Sequence, residues 1–262
     1  MPSVSNVAVG ALVAGAAASK ARHGMNESIA RLSTGMRSMY GGDAAGQSVA
    51  NTLEARSKSW AVAARNAEDG ISAAQTAESA LLEIAALAQR LREIGIQADN
   101  EALLNSAADL AALNAEATAL GTAIDAIVTK ATFNGVTVVS KADLTRAIGV
   151  TDDGGTTTLT ITGIAVAART EATNADNSAD EALEDVAIAL GNVAAGIAAL
   201  KGRQAVAYSA SANLAAAAAR IEDTDFAKET ANLTKNSVLN QSAMAMVAQA
   251  NQAQSAVLAV LQ

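Results

Sequence analysis

The sequence predicts a mainly α-helical chain, an elongated antiparallel helical bundle or coiled coil with one small β-hairpin-containing insert. Three observations predict it. Apolar residues recur in heptad seams, Ala makes up about a quarter of the 262 residues, and the only Pro stands at position 2. Ala is the best helix former and buries little area, so its helices pack closely on narrow seams. With the helix breaker confined to the start, nothing local interrupts long helices. Aromatics supply only 2% of residues although hydrophobic ones reach 51%; slender rods suit that supply better than a bulky core.

In chain order, a first helix begins in the uncharged stretch 1–19 and ends near Arg31-Leu32-Ser33, where Gly35, Gly41, Gly42 and Gly46 break the pattern. From about Asp43 to Gln97 one nearly continuous helix is expected, about 80 Å long at 1.5 Å per residue. Its seam is Ala74, Leu81 and Ala88 interleaved with Ala77, Ile84 and Leu91, and Ile71 and Ile94 continue the face. A second seam runs Leu110, Leu113, Ala117, Leu120, Ile124, Ile127. Then the helical pattern breaks at Thr132-Phe133-Asn134-Gly135-Val136-Thr137, where Asn-Gly between β-formers signals a hairpin turn. Residues 156–166, introduced by Asp152-Asp153-Gly154-Gly155, read as a further strand, so about 133–175 forms a small β insert. Ser178 to Asp180 offer N-caps for the returning helix of about 180–222. That helix carries the cleanest seam: Leu183, Val186, Leu190, Val193, Ile197, Leu200, then Gln204, Ala207, Ser211, Leu214, Ala218 and Ile221. Arg220-Ile221-Glu222-Asp223-Thr224-Asp225-Phe226 reads as a helix end and turn, with Asp223 or Thr224 capping the last helix.

Residues 236–262, like 1–19, contain no charged side chain. Two uncharged, Ala-rich ends cannot each hide a face alone, so they need each other or another copy of the chain. The pattern points to assembly before chemistry. Net charge of −8 gives no electrostatic footprint for nucleic acid. Cys is absent and His23 is the only His, which excludes a disulfide framework, a thiolate nucleophile and a multi-His metal site within one chain. The acidic run Glu222 to Asp225 lacks the glycine and distal Glu of a calcium loop, and Gly41-Gly42-Asp43-Ala44-Ala45-Gly46 lacks the Lys and Ser/Thr of a phosphate loop. No catalytic constellation and no cofactor is implied, and the chain reads as a non-enzyme. Lys20 and Arg22 follow the apolar stretch 7–18 instead of preceding it, against a cleaved signal peptide. No apolar run is expected to cross a bilayer, and Asn240, Gln241, Gln249 and Asn251 are costly in lipid.

Several ordered motifs closely resemble the bacterial flagellin family. They are Arg31-Leu32-Ser33-Thr34-Gly35, Asp43-Ala44-Ala45-Gly46, Arg65-Asn66-Ala67-Glu68-Asp69-Gly70-Ile71-Ser72, Gln75-Thr76-Ala77-Glu78, Gln89-Arg90-Leu91-Arg92-Glu93 and Phe133-Asn134-Gly135-Val136. At the other end stand Ala219-Arg220-Ile221-Glu222-Asp223-Thr224-Asp225-Phe226-Ala227-Lys228-Glu229 and Gln249-Ala250-Asn251-Gln252. The resemblance covers roughly 20–139 and 180–262. The start, Pro2-Ser3-Val4-Ser5-Asn6, and the connector Ser38-Met39-Tyr40-Gly41-Gly42 depart from the family's usual residues.

The resemblance implies a structural subunit that polymerises into a helical flagellar filament for swimming. The hook–filament junction protein, which resembles flagellin at both ends, is the alternative. It implies terminal helices, 1–40 and 227–262, that form an inner tube, left disordered in free subunits and ordered by assembly. A rod of 41–226 surrounds them, without large outer domains. Implied partners are further copies and sister flagellins, an export chaperone at the C-terminal helix, and the cap and hook-junction proteins. The location implied is extracellular, reached by flagellar type III export without signal cleavage. By the same resemblance, Arg90 and Glu116, with Ile94 on the same helical face as Arg90, mark a rod patch that serves subunit packing and innate immune receptor binding. The rod seam itself is expected at Leu81, Ile84, Leu91, Leu190, Val193, Ile197 and Leu200.

Overall fold

A computed structural model describes residues 3–38, 42–100, 106–164 and 171–261. In order, these form helices α1 (Ser3–Thr34), α2 (Ala44–Ala98) and α3 (Ala107–Lys130), strands β1 (Thr132–Phe133), β2 (Val136–Thr137), β3 (Leu144–Gly149) and β4 (Thr156–Ile161), a 3-10 turn Ala172–Asn174, and helices α4 (Ala175–Glu222) and α5 (Phe226–Leu261). The contacts divide the chain into two compact units, one of 1–54 with 214–262 and one of 55–213.

In the unit of 55–213, the seams of α2, α3 and α4 close on one another. Its main core gathers Ala74, Ala77, Leu81, Ile84 and Ala88 of α2, Ile124 and Val128 of α3, Val186, Ala189 and Val193 of α4, and Val139, Leu159 and Ile161 from the β segment. Leu190 and Ile197 are half-buried at its margin; the positions of α4 that interleave with Val186, Val193 and Leu200 at full depth are Ala182, Ala189 and Gly196. Small residues go deepest because they let the helices approach, and the larger Leu190 and Ile197 cover the edge. At the same core, a Cβ on Gly70 would collide with Ile148 and one on Gly196 with Leu159. These two glycines are where α2 and α4 admit the β layer.

The β segment is two antiparallel hairpins, β1 with β2 and β3 with β4. Asn134 at φ 48° and Gly135 at φ 76° supply the two left-handed residues of the first turn, as the Asn-Gly dipeptide requires. The second pairs Leu144 with Ile161 through Gly149 with Thr156 and is closed by Val150 N–H to Gly155 O at 2.9 Å. Strand β3 has no counterpart in the sequence reading. Residues 165 and 166 of the strand expected there, and Gly41 of the glycine cluster, lie outside the described residues.

Three expectations are corrected. The returning helix starts at Ala175 after the 3-10 turn, so Ser178 is not an N-cap; its hydroxyl donates to Asn174 O one turn back. The last helix is capped by Asp225, whose Oδ1 accepts from Ala227 N (3.0 Å) and Lys228 N (3.1 Å), because the chain stays non-helical through Thr224. The helical segment Ala172–Glu222 does contain a window apolar enough for a membrane span, with mean hydropathy 1.6. Ala content raises that value, and Val186, Val193 and Leu200 within the segment are buried in protein.

In the unit of 1–54 and 214–262, α1 packs along α5. The buried positions between them are small or polar: Ala18, Ala21, Ser28, Glu229 and Ala243.

Candidate assembly site

No group of His, Cys or acidic side chains able to hold a metal occurs among the described residues. What the structure offers are surfaces. The first lies on α2 and α3. Arg90 reaches Glu116 of α3 through Nη2 at 2.8 Å and Nε at 3.1 Å, and Glu93 one turn along α2 through Nη1 at 2.8 Å. The hydrogen bonds that Arg90 donates to Glu93 and then to Glu116 raise the guanidinium pKa further above its already high value, so Arg90 is a permanent cation held in a fixed fork. Two carboxylates around one cation leave the cluster with a residual negative charge, available to a neighbour.

Ile94 does not join this surface. It is fully buried with Leu91, Ala98, Ala117, Ala172, Ala175 and Ala179. A four-residue step places two side chains on adjacent parts of a helix, but α2 is covered here by α3 and α4, and Ile94 falls under that cover while Arg90 stays outside it. Glu93 takes part instead. Its i,i+3 spacing from Arg90 was readable, although spacing alone does not distinguish such a pair from two solvated charges. Two residues beyond Glu93 on α2, Gly95 lets the backbone of Asp176 approach so closely that a Cβ there would clash with its amide nitrogen. Arg92 pairs with Asp180 at 2.7 Å across the same contact.

The second surface belongs to the terminal helices. Leu12, Val13, Val9 and Ile29 of α1 and Val238, Leu239, Met244 and Met246 of α5 are exposed, Leu12 by 78% and Met246 by 63%. Packing α1 on α5 buries the Ala seam and leaves these larger side chains outward, so the pair has apolar area to give to something else.

The connectors beside this pair are tied together in detail that the sequence reading missed. Gly35 ends α1 at φ 74°, with its N–H on Arg31 O at 2.8 Å, the left-handed helix stop that glycine accepts without strain. Thr224 N–H then donates to Gly35 O at 2.8 Å and Arg37 N–H to Glu222 O at 2.7 Å, around the Met36–Asp223 bridge. The Arg37 guanidinium donates to Ile221 O at 3.0 and 3.2 Å and to Asp43 Oδ2 at 2.8 Å. Asp43 also caps α2 by accepting from Gly46 N at 2.8 Å. That amide first, and then Arg37, hold the Asp43 carboxyl below the usual carboxylate range. Gln47 adds hydrogen bonds to Ser38, to Asn51 (2.9 Å) and to Glu222 (3.2 Å). These partners lie in irregular or distant segments, where no periodicity announces them.

Long Ala-seamed helices and paired terminal helices with apolar residues outside define a helical protein built to associate. The comparisons with known proteins agree. Residues 6–143 match the bacterial flagellin N-terminal helical region and 177–261 the bacterial flagellin C-terminal helical region. The flagellin of Bacillus subtilis is 33% identical over 275 residues, spanning 88% of this chain and 90% of that one. The flagellin of Halalkalibacterium halodurans is 35% identical over 245 residues, spanning 88% and 89%. That of Xenorhabdus nematophila is 43% identical over 141 residues, or 53% of this chain and 44% of its own length. The chain belongs to the bacterial flagellin family. It is a structural subunit of the flagellar filament, an extracellular self-polymer, and nothing favours the hook-junction alternative.

Proposed function

We propose that this flagellin polymerises with its terminal helices, 1–40 and 227–262, forming an inner tube and with 41–226 forming the surrounding rod. The observation that carries the reading is the exposure of Leu12, Val13, Val238, Met244 and Met246 on a helix pair whose own seam is mostly Ala. A pair that buries so little cannot offset the ordering entropy of two helices of 32 and 36 residues by its seam alone. Neighbouring subunits that cover the outward residues supply the missing burial. Interfaces of this kind are heterologous, and their repetition gives an open helical filament.

Arg90 and Glu116, together with Glu93, are the rod surface proposed for subunit packing and for recognition by the innate immune flagellin receptor. The export chaperone is assigned to α5, whose outward apolar residues need cover before assembly. Cap and hook-junction proteins, and sister flagellins, would meet the same terminal helices. Export without signal cleavage and the absence of enzymatic activity complete the reading. Removal of 1–33 and 230–262 tests it: the remaining fragment should stay folded and soluble and form no filaments. Normal filaments from that fragment would contradict the inner-tube assignment.

A further inference from the structure

The seam between α1 and α5 is not uniform. At heptad spacing along α5, the less exposed positions are Glu229, Leu233, Asn236, Asn240, Ala243, Val247 and Ala250. Those along α1 are Ala11, Ala14, Ala18, Ala21, Met25, Ser28 and Leu32, with Gly24 and Arg31 beside the last three. The half toward the ends of the chain is Ala and Val. The half toward the connectors sets polar residues among Leu233, Met25 and Leu32. There Arg31 reaches the buried Glu229 carboxylate at 3.5 Å, Ser28 is buried, and the Asn236 amide occupies the space that a Cβ on Gly24 would fill. The Asn240 Oδ1 atom is shielded from solvent and has no hydrogen-bond partner among the described residues.

Two of these features lower the stability of the closed pair relative to an apolar seam. A shielded acceptor without a donor keeps its desolvation penalty. A buried carboxylate paired with a cation at 3.5 Å carries a desolvation cost that an apolar pair would not. Yet these groups also define an alignment, because Asn236 fits opposite a residue without a side chain and Glu229 must meet Arg31. Single polar residues in helical seams act in this way, specifying register at a cost in stability.

We propose that the polar half of the α1–α5 seam is a conditional lock, which sets how the two helices align but keeps them from closing firmly until a second copy covers them. The proposal rests on the reading that the terminal pair orders on assembly, and it names the residues responsible. Asn240 is the principal one, since it stands at a seam position and its Oδ1 atom finds no donor among the described residues.

The test is amide hydrogen exchange on the full-length monomer, comparing wild type with Asn240→Leu, Asn240→Ala and the outward-facing control Gln241→Ala. Asn240→Ala removes the amide without adding bulk, so a packing clash with Leu cannot obscure the result. Both Asn240 variants should slow exchange through α1 and α5 by about tenfold, the scale expected when one unsatisfied buried acceptor is removed. The control should leave exchange unchanged. Equal or faster exchange in both Asn240 variants, with wild-type α1 and α5 unprotected, would overturn the lock and leave the assembly reading standing. Wild-type α1 and α5 as protected in the monomer as the helices of 55–213 would overturn the assembly-coupled reading, and the lock with it.

Discussion

Truncation of Leu200 gives the sharpest test of how the unit of 55–213 is held together. Leu200 is fully buried in a small cluster with Ala67, Ile71 and Val150, with Ile148 and Ile197 alongside. Leu200→Ala removes three carbons, and at about 0.8 kcal/mol for each the transfer loss is about 2.4 kcal/mol. A cavity term adds to this. The facing residue is Gly70, whose missing Cβ would itself lie 3.2 Å from Leu200 Cδ1, and Ala67 is equally unable to grow into the space. The site collapses poorly, so the total should reach about 3–4 kcal/mol. For a unit of this size that lowers Tm by about 6–16 °C. Ile197→Ala, at a half-buried margin, should cost about half as much. Leu200→Asp should exceed both, since an unpaired carboxylate would enter an apolar cluster. Thermal melts of the monomer followed by Trp60 fluorescence report on this unit directly, because Trp60 packs beside Ala63, Ala64 and Ala207. A Leu200→Ala protein that melts with wild type, or with Ile197→Ala, would refute the packing argument.

Arg90→Ala should leave the monomer's melting nearly unchanged, since exposed ion pairs contribute little, while filament yield or swimming falls; normal assembly and motility would remove Arg90 from the packing surface. Gly95→Ala should destabilise by about 1–3 kcal/mol, because its methyl group meets the Asp176 backbone, which cannot rotate away; denaturant titration measures this, and a neutral effect would count against that close contact. Asp43 has a folded pKa below its ordinary value of 3.8, so its contribution is complete above that value and is lost as pH falls through the lower folded value. Acid titration of the wild type should therefore show a connector transition below pH 3.8 that Asp43→Asn lacks. Thr156 and Thr158, exposed on β4, are the best-placed carriers of an O-linked glycan, and intact mass of native filaments equal to that of the bare chain would exclude it.

Legibility differed with the origin of each contact. Periodicity exposes contacts that repeat, so α2, with Leu81, Ile84 and Leu91 buried along its seam, could be drawn from spacing. Asn134-Gly135 was readable because so few residues accept two consecutive left-handed positions. Strand β3, Leu144-Thr145-Arg146-Ala147-Ile148-Gly149, was not, because it lacks a β-branched run and owes its conformation to pairing with β4. Ile94 shows the limit of a helical face. Its four-residue step from Arg90 is real, but whether it meets solvent depends on where α3 and α4 lie across α2. The Arg37–Asp43–Ile221 network joins segments separated by 184 residues, and neither heptad nor cap rules connect them.

The central claim is that polymerisation depends on the paired terminal helices, which is most directly tested by sedimentation and electron microscopy of purified full-length chain beside a chain lacking 1–33 and 230–262. The full-length protein should pellet as long helical filaments, with α1 and α5 at the inner wall in a reconstruction. The trimmed protein should keep the secondary structure of 55–213 and remain in the supernatant. Filaments of the same diameter and length from the trimmed protein, or a reconstruction placing α1 and α5 on the outer surface, would contradict it.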